Sequence, residues 1–407
     1  MPKKSSDIQE TIDTLKHAWR HRKGVNVLGR QIDELNVPVI NKKIYLEHNV
    51  PGTIMDVVDV LWPQPQPKPL LTHKIKNKSG WHMIFTLPPG RSFKDVLNKQ
   101  DYFTDACRAQ VKIENKGGYL HLNICEGKME SYYPYGWNPE PYLKKMDLPF
   151  PVGYTATGLE VADLAAIPHL RVAGTTLTGK SNFLHNLYIS LSMIPGVMIG
   201  VIDLALLEFS YTKKHGAFAA DTETALKLLQ SLEREMHRRR KILDAAEVVK
   251  VQEYTKEDLP FIVLIIDEFA FFNPEGTFDK FDKEIRKECH TICSNIAALA
   301  RKVGIHIVVA MQRPDHKILP GQLKANLPGA LSLKTIDRVN SEIILDNGAA
   351  ADLPDIKGRA IWQVGNQQKE VQVMHLPVSK ARKLLNQREG VNIWNAIIKS
   401  RKRLPPR

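Results

Sequence analysis

Residues Ala173–Ser181 read AGTTLTGKS, and the apolar run FIVLIIDE ends 87 residues beyond the lysine of that stretch, at Asp267 and Glu268. The first stretch fits G-x-x-x-x-G-K-[ST] at Gly174, Gly179, Lys180 and Ser181. A glycine-bearing loop turns backbone N–H groups toward phosphate oxygens, and the helix behind it adds the positive end of its dipole. Lys180 is placed to reach the β- and γ-phosphates, and the Ser181 hydroxyl to ligate Mg²⁺. The second stretch has the length and continuous apolarity of a strand buried on both faces, and it stops at two carboxylates. Asp267 is expected to hold the metal from the far side and Glu268 to polarise the attacking water. The two motifs together predict binding of ATP with Mg²⁺ and its hydrolysis. The expected nucleotide contacts are Gly174, Thr175, Thr176, Leu177, Thr178, Gly179, Lys180, Ser181 and Asn182, with Ser181 and Asp267 on the metal.

A short motif can occur by chance, so its surroundings decide. Leu170–Gly174 reads as a strand and Asn182–Met193 as an apolar helix, which puts the loop between strand and helix as the chemistry requires. From 151 to 378 the chain alternates strand and helix. Strands are expected at Leu170–Gly174, Val197–Asp203, Phe261–Asp267, Ile305–Ala310, Ala330–Lys334, Arg359–Val364 and Glu370–Met374. A helix at Asp221–Ala245 carries Ala225, Leu229, Leu232, Met236 and Leu243 on one face. This pattern is α/β, with a mainly parallel sheet covered by helices.

The region before it, 70–150, reads as a small α+β domain. Trp81, Met83, Phe85 and Leu87 alternate, Gly117-Gly118 marks a hairpin turn, and Leu120, Leu122 and Ile124 alternate again. Residues 1–69 hold a basic helix at Ile8–Arg22 and a proline-rich linker at Trp62–Pro69. Residues 379–407 form a basic helical tail. Tyr132, Tyr133, Tyr135, Trp137 and Tyr142 crowd the connector before the larger domain, where packing against that domain is the expected use.

Fifty-seven basic against 44 acidic residues give a formal charge of +13 over 407 residues. So basic a chain favours a polyanionic partner, nucleic acid first. No apolar run is long enough to span a membrane, and the start lacks the apolar core of a signal peptide. Of the four cysteines, Cys289 and Cys293 fall on one apolar helical stripe with Ile285, Ile292 and Ile296, as reduced core residues would. The expected compartment is therefore the cytoplasm.

Further segments narrow the class: VIDLALLEFSYT (Val201–Thr212), EMHRRRKIL (Glu235–Leu243), ARKVGIHIVVAMQRP (Ala300–Pro314), LPGQLKANLPG (Leu319–Gly329) and IILDNGAAADLPDIKGRA (Ile343–Ala360). In this order and spacing, residues 152–374 resemble the FtsK/SpoIIIE family of DNA-pumping ATPases, a RecA-like P-loop motor. The small domain is similar to the one preceding the motor in FtsK-type coupling proteins of Gram-positive conjugative elements. The resemblance implies a homo-hexameric ring threading double-stranded DNA, with a relaxase or secretion-machinery protein as partner and membrane recruitment through partners. It makes Gln312 a γ-phosphate sensor and Arg301 an arginine finger offered in trans. It also exposes departures. Leu177 replaces a P-loop glycine, Leu204 and Ala205 stand where a lysine is usual, and Glu342 replaces an arginine. The family's C-terminal winged helix and N-terminal membrane anchor are not expected here.

Two other functions fit the same fold: an ATPase driving protein secretion, and a DNA-binding scaffold with weak ATPase activity. Candidate DNA contacts are Lys317, Lys324, Lys280, Lys283, Arg286 and the tail Arg401-Lys402-Arg403.

Overall fold

The structure, a computed structural model, describes residues 50–77, 80–107, 109–125, 129–206 and 208–387. It divides into two units at 127/128. The helix expected at Ile8–Arg22 and the Arg401–Arg403 cluster lie outside the described residues.

In the smaller unit, helix α1 (Val50–Leu61) precedes strands β1 (Leu70–Asn77) and β2 (Gly80–Thr86). Helices α2 (Phe93–Leu97) and α3 (Gln100–Cys107) follow, then β3 (Gln110–Lys116) and β4 (Tyr119–Cys125). The sheet order is β1-β2-β4-β3, antiparallel throughout. The alternation read from the sequence sets the register: Trp81, Met83 and Phe85 stand opposite Ile124, Leu122 and Leu120. Their shared face is covered by Ile54, Val57 and Val58 of α1 and Phe103 of α3. Trp62 is buried in the same core, so the chain from Val50 onward is built into this unit. The sequence reading had assigned everything before residue 70 to a separate segment.

The larger unit continues with α4 (Glu140–Leu143), β5 (Pro149–Thr155), β6 (Gly158–Asp163), β7 (Leu170–Ala173), α5 (Lys180–Ser192), β8 (Val197–Ile202), β9 (Ala217–Ala219) and α6 (Thr222–Ala245). Then come β10 (Phe261–Ile266), α7 (Lys280–Leu299), β11 (Ile305–Met311), α8 (Gly321–Ala325), β12 (Gly329–Leu333), α9 (Arg338–Leu345), β13 (Arg359–Val364), β14 (Gln367–Gln372) and α10 (Val378–Asn386). One sheet of ten strands runs β6-β5-β14-β13-β12-β7-β11-β10-β8-β9. From β12 to β9 neighbours are parallel, and from β12 to β6 they are antiparallel.

The parallel strands are buried on both faces, which is why their sequences are unbroken apolar runs. Ile262, Leu264 and Ile266 of β10 join the core beneath α6 and α7, while Val263 and Ile265 join the core beneath α5. Asp221 starts α6 with a capping box shared with Thr224. The α7 stripe buries Cys289 and Cys293 as expected, and burial pushes the Cys289 thiol up to about 12.

Strands β5 and β6 belong to this sheet, so the sequence-based boundary at 150 falls inside the larger unit. The connector also belongs to it. Pro134 bridges to His375, Tyr133 stacks on Tyr154 with ring centroids 4.1 Å apart, and the Tyr135 hydroxyl meets Ser190 Oγ at 2.9 Å. Tyr133, Tyr135, Trp137 and Tyr142 are thus packing, as the sequence suggested, while Tyr132 is 57% exposed.

Candidate nucleotide site

Strand β11 lies between β7 and β10, and all three run the same way. Their C-terminal ends therefore bring three loops to one edge of the sheet, where ligands of open α/β sheets bind. The β7 end supplies the loop 174–179 and the start of α5, the β10 end supplies Asp267 and Glu268, and the β11 end supplies Gln312.

Side chains close this arrangement. Lys180 Nζ donates to the Asp267 carbonyl at 2.6 Å and to Asp267 Oδ1 at 2.9 Å, and lies 3.9 Å from Glu268 Oε2. The Gln312 backbone N–H donates to Glu268 Oε2 at 3.1 Å, and the Thr176 hydroxyl donates to Gln312 Oε1 at 3.1 Å. The loop residue Thr176, the sensor candidate Gln312 and the base candidate Glu268 thus form one chain of contacts. Burial raises the Glu268 carboxyl above the ordinary carboxylate range, although Lys180 and the Gln312 N–H oppose the shift. A carboxylate raised in this way is a better proton acceptor once ionised.

The loop itself is held from outside. The Thr178 carbonyl accepts from the Gly358 N–H at 2.8 Å, and the Thr175 hydroxyl donates to the Lys334 carbonyl at 3.3 Å. A Cβ on Gly174 would come within 2.9 Å of Leu333 Cβ, so the first motif glycine is a steric requirement. Leu177 adopts φ 70°. That is the left-handed region in which a side chain costs about 1–2 kcal/mol and glycine almost nothing. The side chain is 83% exposed and meets no wall. The loop therefore takes the turn that a glycine would ease, with the strain confined to one residue.

Not every expected contact falls in the site. Asn182 Nδ2 donates to the Met374 carbonyl at 2.8 Å, and its Oδ1 accepts from the Leu376 N–H at 2.8 Å. Its side chain fastens α5 to the segment after β14. Arg301 sits in a short 3-10 turn, Arg301–Val303, that leads into the opposite end of β11, and it is exposed. The length of β11 puts it roughly 20 Å from this chain's own site. Among the candidate DNA contacts, Lys324 is held by Asp346 at 2.7 Å, Lys283 by Glu275 at 2.9 Å and Arg286 by Asp282 at 2.8 Å. Lys280 and Lys317 are exposed. Sequence reasoning missed Glu208, which faces the start of α5. The signal was present in the quoted VIDLALLEFSYT segment, but the turn that returns residue 208 to the helix cannot be read from spacing.

No metal cluster of His, Cys, Asp or Glu occurs among the described residues. The donor set suits Mg²⁺ with nucleotide, which takes few protein oxygens because phosphates and water supply the rest. Ser181 and Asp267 are hard oxygen donors on facing elements of this kind. Among the described residues no helix is long and apolar enough to cross a membrane.

Residues 140–258 match the sequence model of the FtsK/SpoIIIE family. The chain is 33% identical over 226 residues to the DNA translocase FtsK of Treponema pallidum, covering 51% of this chain and 27% of that protein. It is 32% identical over 207 residues to the DNA translocase FtsK of Campylobacter jejuni, covering 47% and 21%. The chain thus spans about a quarter of the length of these relatives. Among solved structures, the monomer form of the pCW3 conjugation coupling protein TcpA with ATPγS superposes with a TM-score of 0.60 at 24% identity, over 84% of this chain and 100% of that one. The cytoplasmic domain of the type VII secretion ATPase EccC of Thermomonospora curvata gives 0.50 at 20% identity, over 69% and 34%. These structural likenesses establish the fold, that of P-loop ATPases.

Proposed function

From the match of residues 140–258 to the FtsK/SpoIIIE family model, we propose that this chain is an ATP-driven translocase of double-stranded DNA, working as a homo-hexameric ring in the transfer of a mobile element. The observation that supports the reading is the contact set in which Lys180 meets Asp267 and Glu268, Glu268 meets Gln312 and Gln312 meets Thr176, joining three strand ends at one site suited to a nucleotide phosphate. The relatives named as DNA translocases supply the substrate, and the +13 charge is the electrostatics such a substrate needs.

In the cycle, Lys180 exchanges its Asp267 partners for the β- and γ-phosphates. Ser181 and Asp267 would hold the Mg²⁺, which neutralises charge on the transferred phosphoryl group. Glu268 accepts the proton of the attacking water. Gln312, on its backbone N–H, holds that carboxylate, and its amide reports through Thr176 on the state of the loop. Arg301, out of reach of its own site, serves the site of the adjacent subunit, so hydrolysis waits on correct packing of the ring. DNA is gripped by its phosphates, because a motor that moves along any sequence cannot depend on base edges. The exposed Lys280 and Lys317 are candidates for that grip, as is the tail Arg401-Lys402-Arg403.

The test is ATP turnover with and without double-stranded DNA, together with DNA affinity against salt. The proposal expects stimulation by duplex of any sequence and a steep fall of affinity with salt. Absence of both would overturn it and leave a polypeptide substrate as the alternative, as in secretion ATPases.

A further inference from the structure

The loop after β8 carries an acidic residue that the chemistry above does not use. Strand β8 lies beside β10 with Ile202 level with Ile266, so Asp203 follows one strand end as Asp267 follows the next. Asp203 is 1% exposed, and its Oδ2 accepts the backbone N–H of Phe209 at 2.9 Å and of Glu208 at 3.2 Å. These bonds tie Glu208 back to the same sheet edge that holds Asp267. The Glu208 carboxylate lies 3.4 Å from His185 Nε2, and His185 Nδ1 lies 3.0 Å from the Tyr211 hydroxyl. His185 is one helical turn beyond Ser181 on α5, so Glu208 faces the stretch of helix that presents the Ser181 hydroxyl. His185 first, then the Ser181 hydroxyl and the Lys180 charge, keep this carboxylate below the usual range.

We propose that Glu208 is a positioning residue of the metal–nucleotide site, facing Ser181 from the β8 side while Asp267 stands on the β10 side. The inference rests on the reading of this site as one for Mg²⁺ and ATP. A hydroxyl that gives a lone pair to a metal keeps its proton and needs an acceptor for it. Mg²⁺ also keeps several waters, whose protons need acceptors. Glu208 supplies an acceptor on this side. His185, whose ring meets the Tyr211 hydroxyl, stands 3.4 Å from the carboxylate and limits where it can sit, as outer partners of metal ligands commonly do.

The test uses the full chain and a fluorescent ATP analogue, with affinity measured in EDTA and across a Mg²⁺ titration. The wild type is expected to bind more tightly with Mg²⁺. If it shows no Mg²⁺-dependent gain, the reading of the site falls, and this inference with it. Given that gain, Glu208→Gln should leave the EDTA affinity unchanged and raise the Mg²⁺ concentration for half-maximal gain about tenfold or more. Tyr211→Phe should move it the same way by less. An unchanged Mg²⁺ dependence in Glu208→Gln overturns the proposal. So does an equal loss of affinity with and without Mg²⁺, which would mark a purely structural role. If thermal melting shows that Glu208→Gln does not fold, Glu208→Asp decides on the same two readouts.

Discussion

At its C-terminal end β11 delivers Gln312 into contact with Glu268 and Thr176; at its N-terminal end it is preceded by the exposed Arg301. The first end is knitted into this chain's own site, and the second faces away from it. On the proposed reading, the contrast teaches that one chain holds most of the chemistry but not all of it. Lys180, Asp267, Glu268 and Gln312, the candidates for phosphate contact, metal, base and sensor, are assembled in a single fold. On the same reading, that exposed arginine is the cation offered to the phosphoryl group in another copy's site.

The sharpest way to break this contrast is at the display end. Arg301→Ala should lower turnover on the order of 10³-fold in the assembled protein. Nucleotide affinity of the isolated subunit should stay unchanged by equilibrium titration. At the knitted end, Glu268→Gln should slow turnover on the order of 10²-fold with ATP binding retained, since general-base contributions are of that size or larger. The pH profile carries the same point. Burial raises the Glu268 carboxyl, and only its ionised form accepts a proton, so turnover should rise with pH through an acid limb lying above the ordinary glutamate range. That limb should vanish in Glu268→Gln.

Two smaller changes sharpen the account. Thr176→Val removes the hydroxyl that joins the loop to Gln312. A single neutral hydrogen bond is worth about 1 kcal/mol, so turnover should fall roughly fivefold. Leu177→Gly should relieve the left-handed strain and raise nucleotide affinity by no more than roughly thirtyfold, read by calorimetry. A loss of affinity there would mean that the exposed leucine touches the nucleotide.

The larger unit was legible because its signals are local. The loop spacing, the apolar run ending at Asp267 and Glu268, and the α7 stripe each state their use within a few residues. The seven strands read from the sequence all recur in the sheet within a few residues of their expected ends. Strand β5, PFPVGYT, hides behind two prolines and a glycine, and β9 is three residues long, so neither shows a period. Contacts between residues distant in the sequence were not legible. Lys324 finds Asp346, 22 residues on, and Glu208 meets His185 only because the chain turns back. Asn182 directly follows the loop motif but serves the segment after β14.

The claim that the site is shared between copies is tested most directly by mixing two inactive proteins, Lys180→Ala and Arg301→Ala, and measuring DNA-stimulated ATP turnover. Each retains the half that the other lacks. In rings assorted at random, about a quarter of interfaces would then pair an intact Lys180 with an intact Arg301. The account predicts turnover well above that of either protein alone. Turnover no greater than the average of the two, in rings shown to contain both, would contradict it.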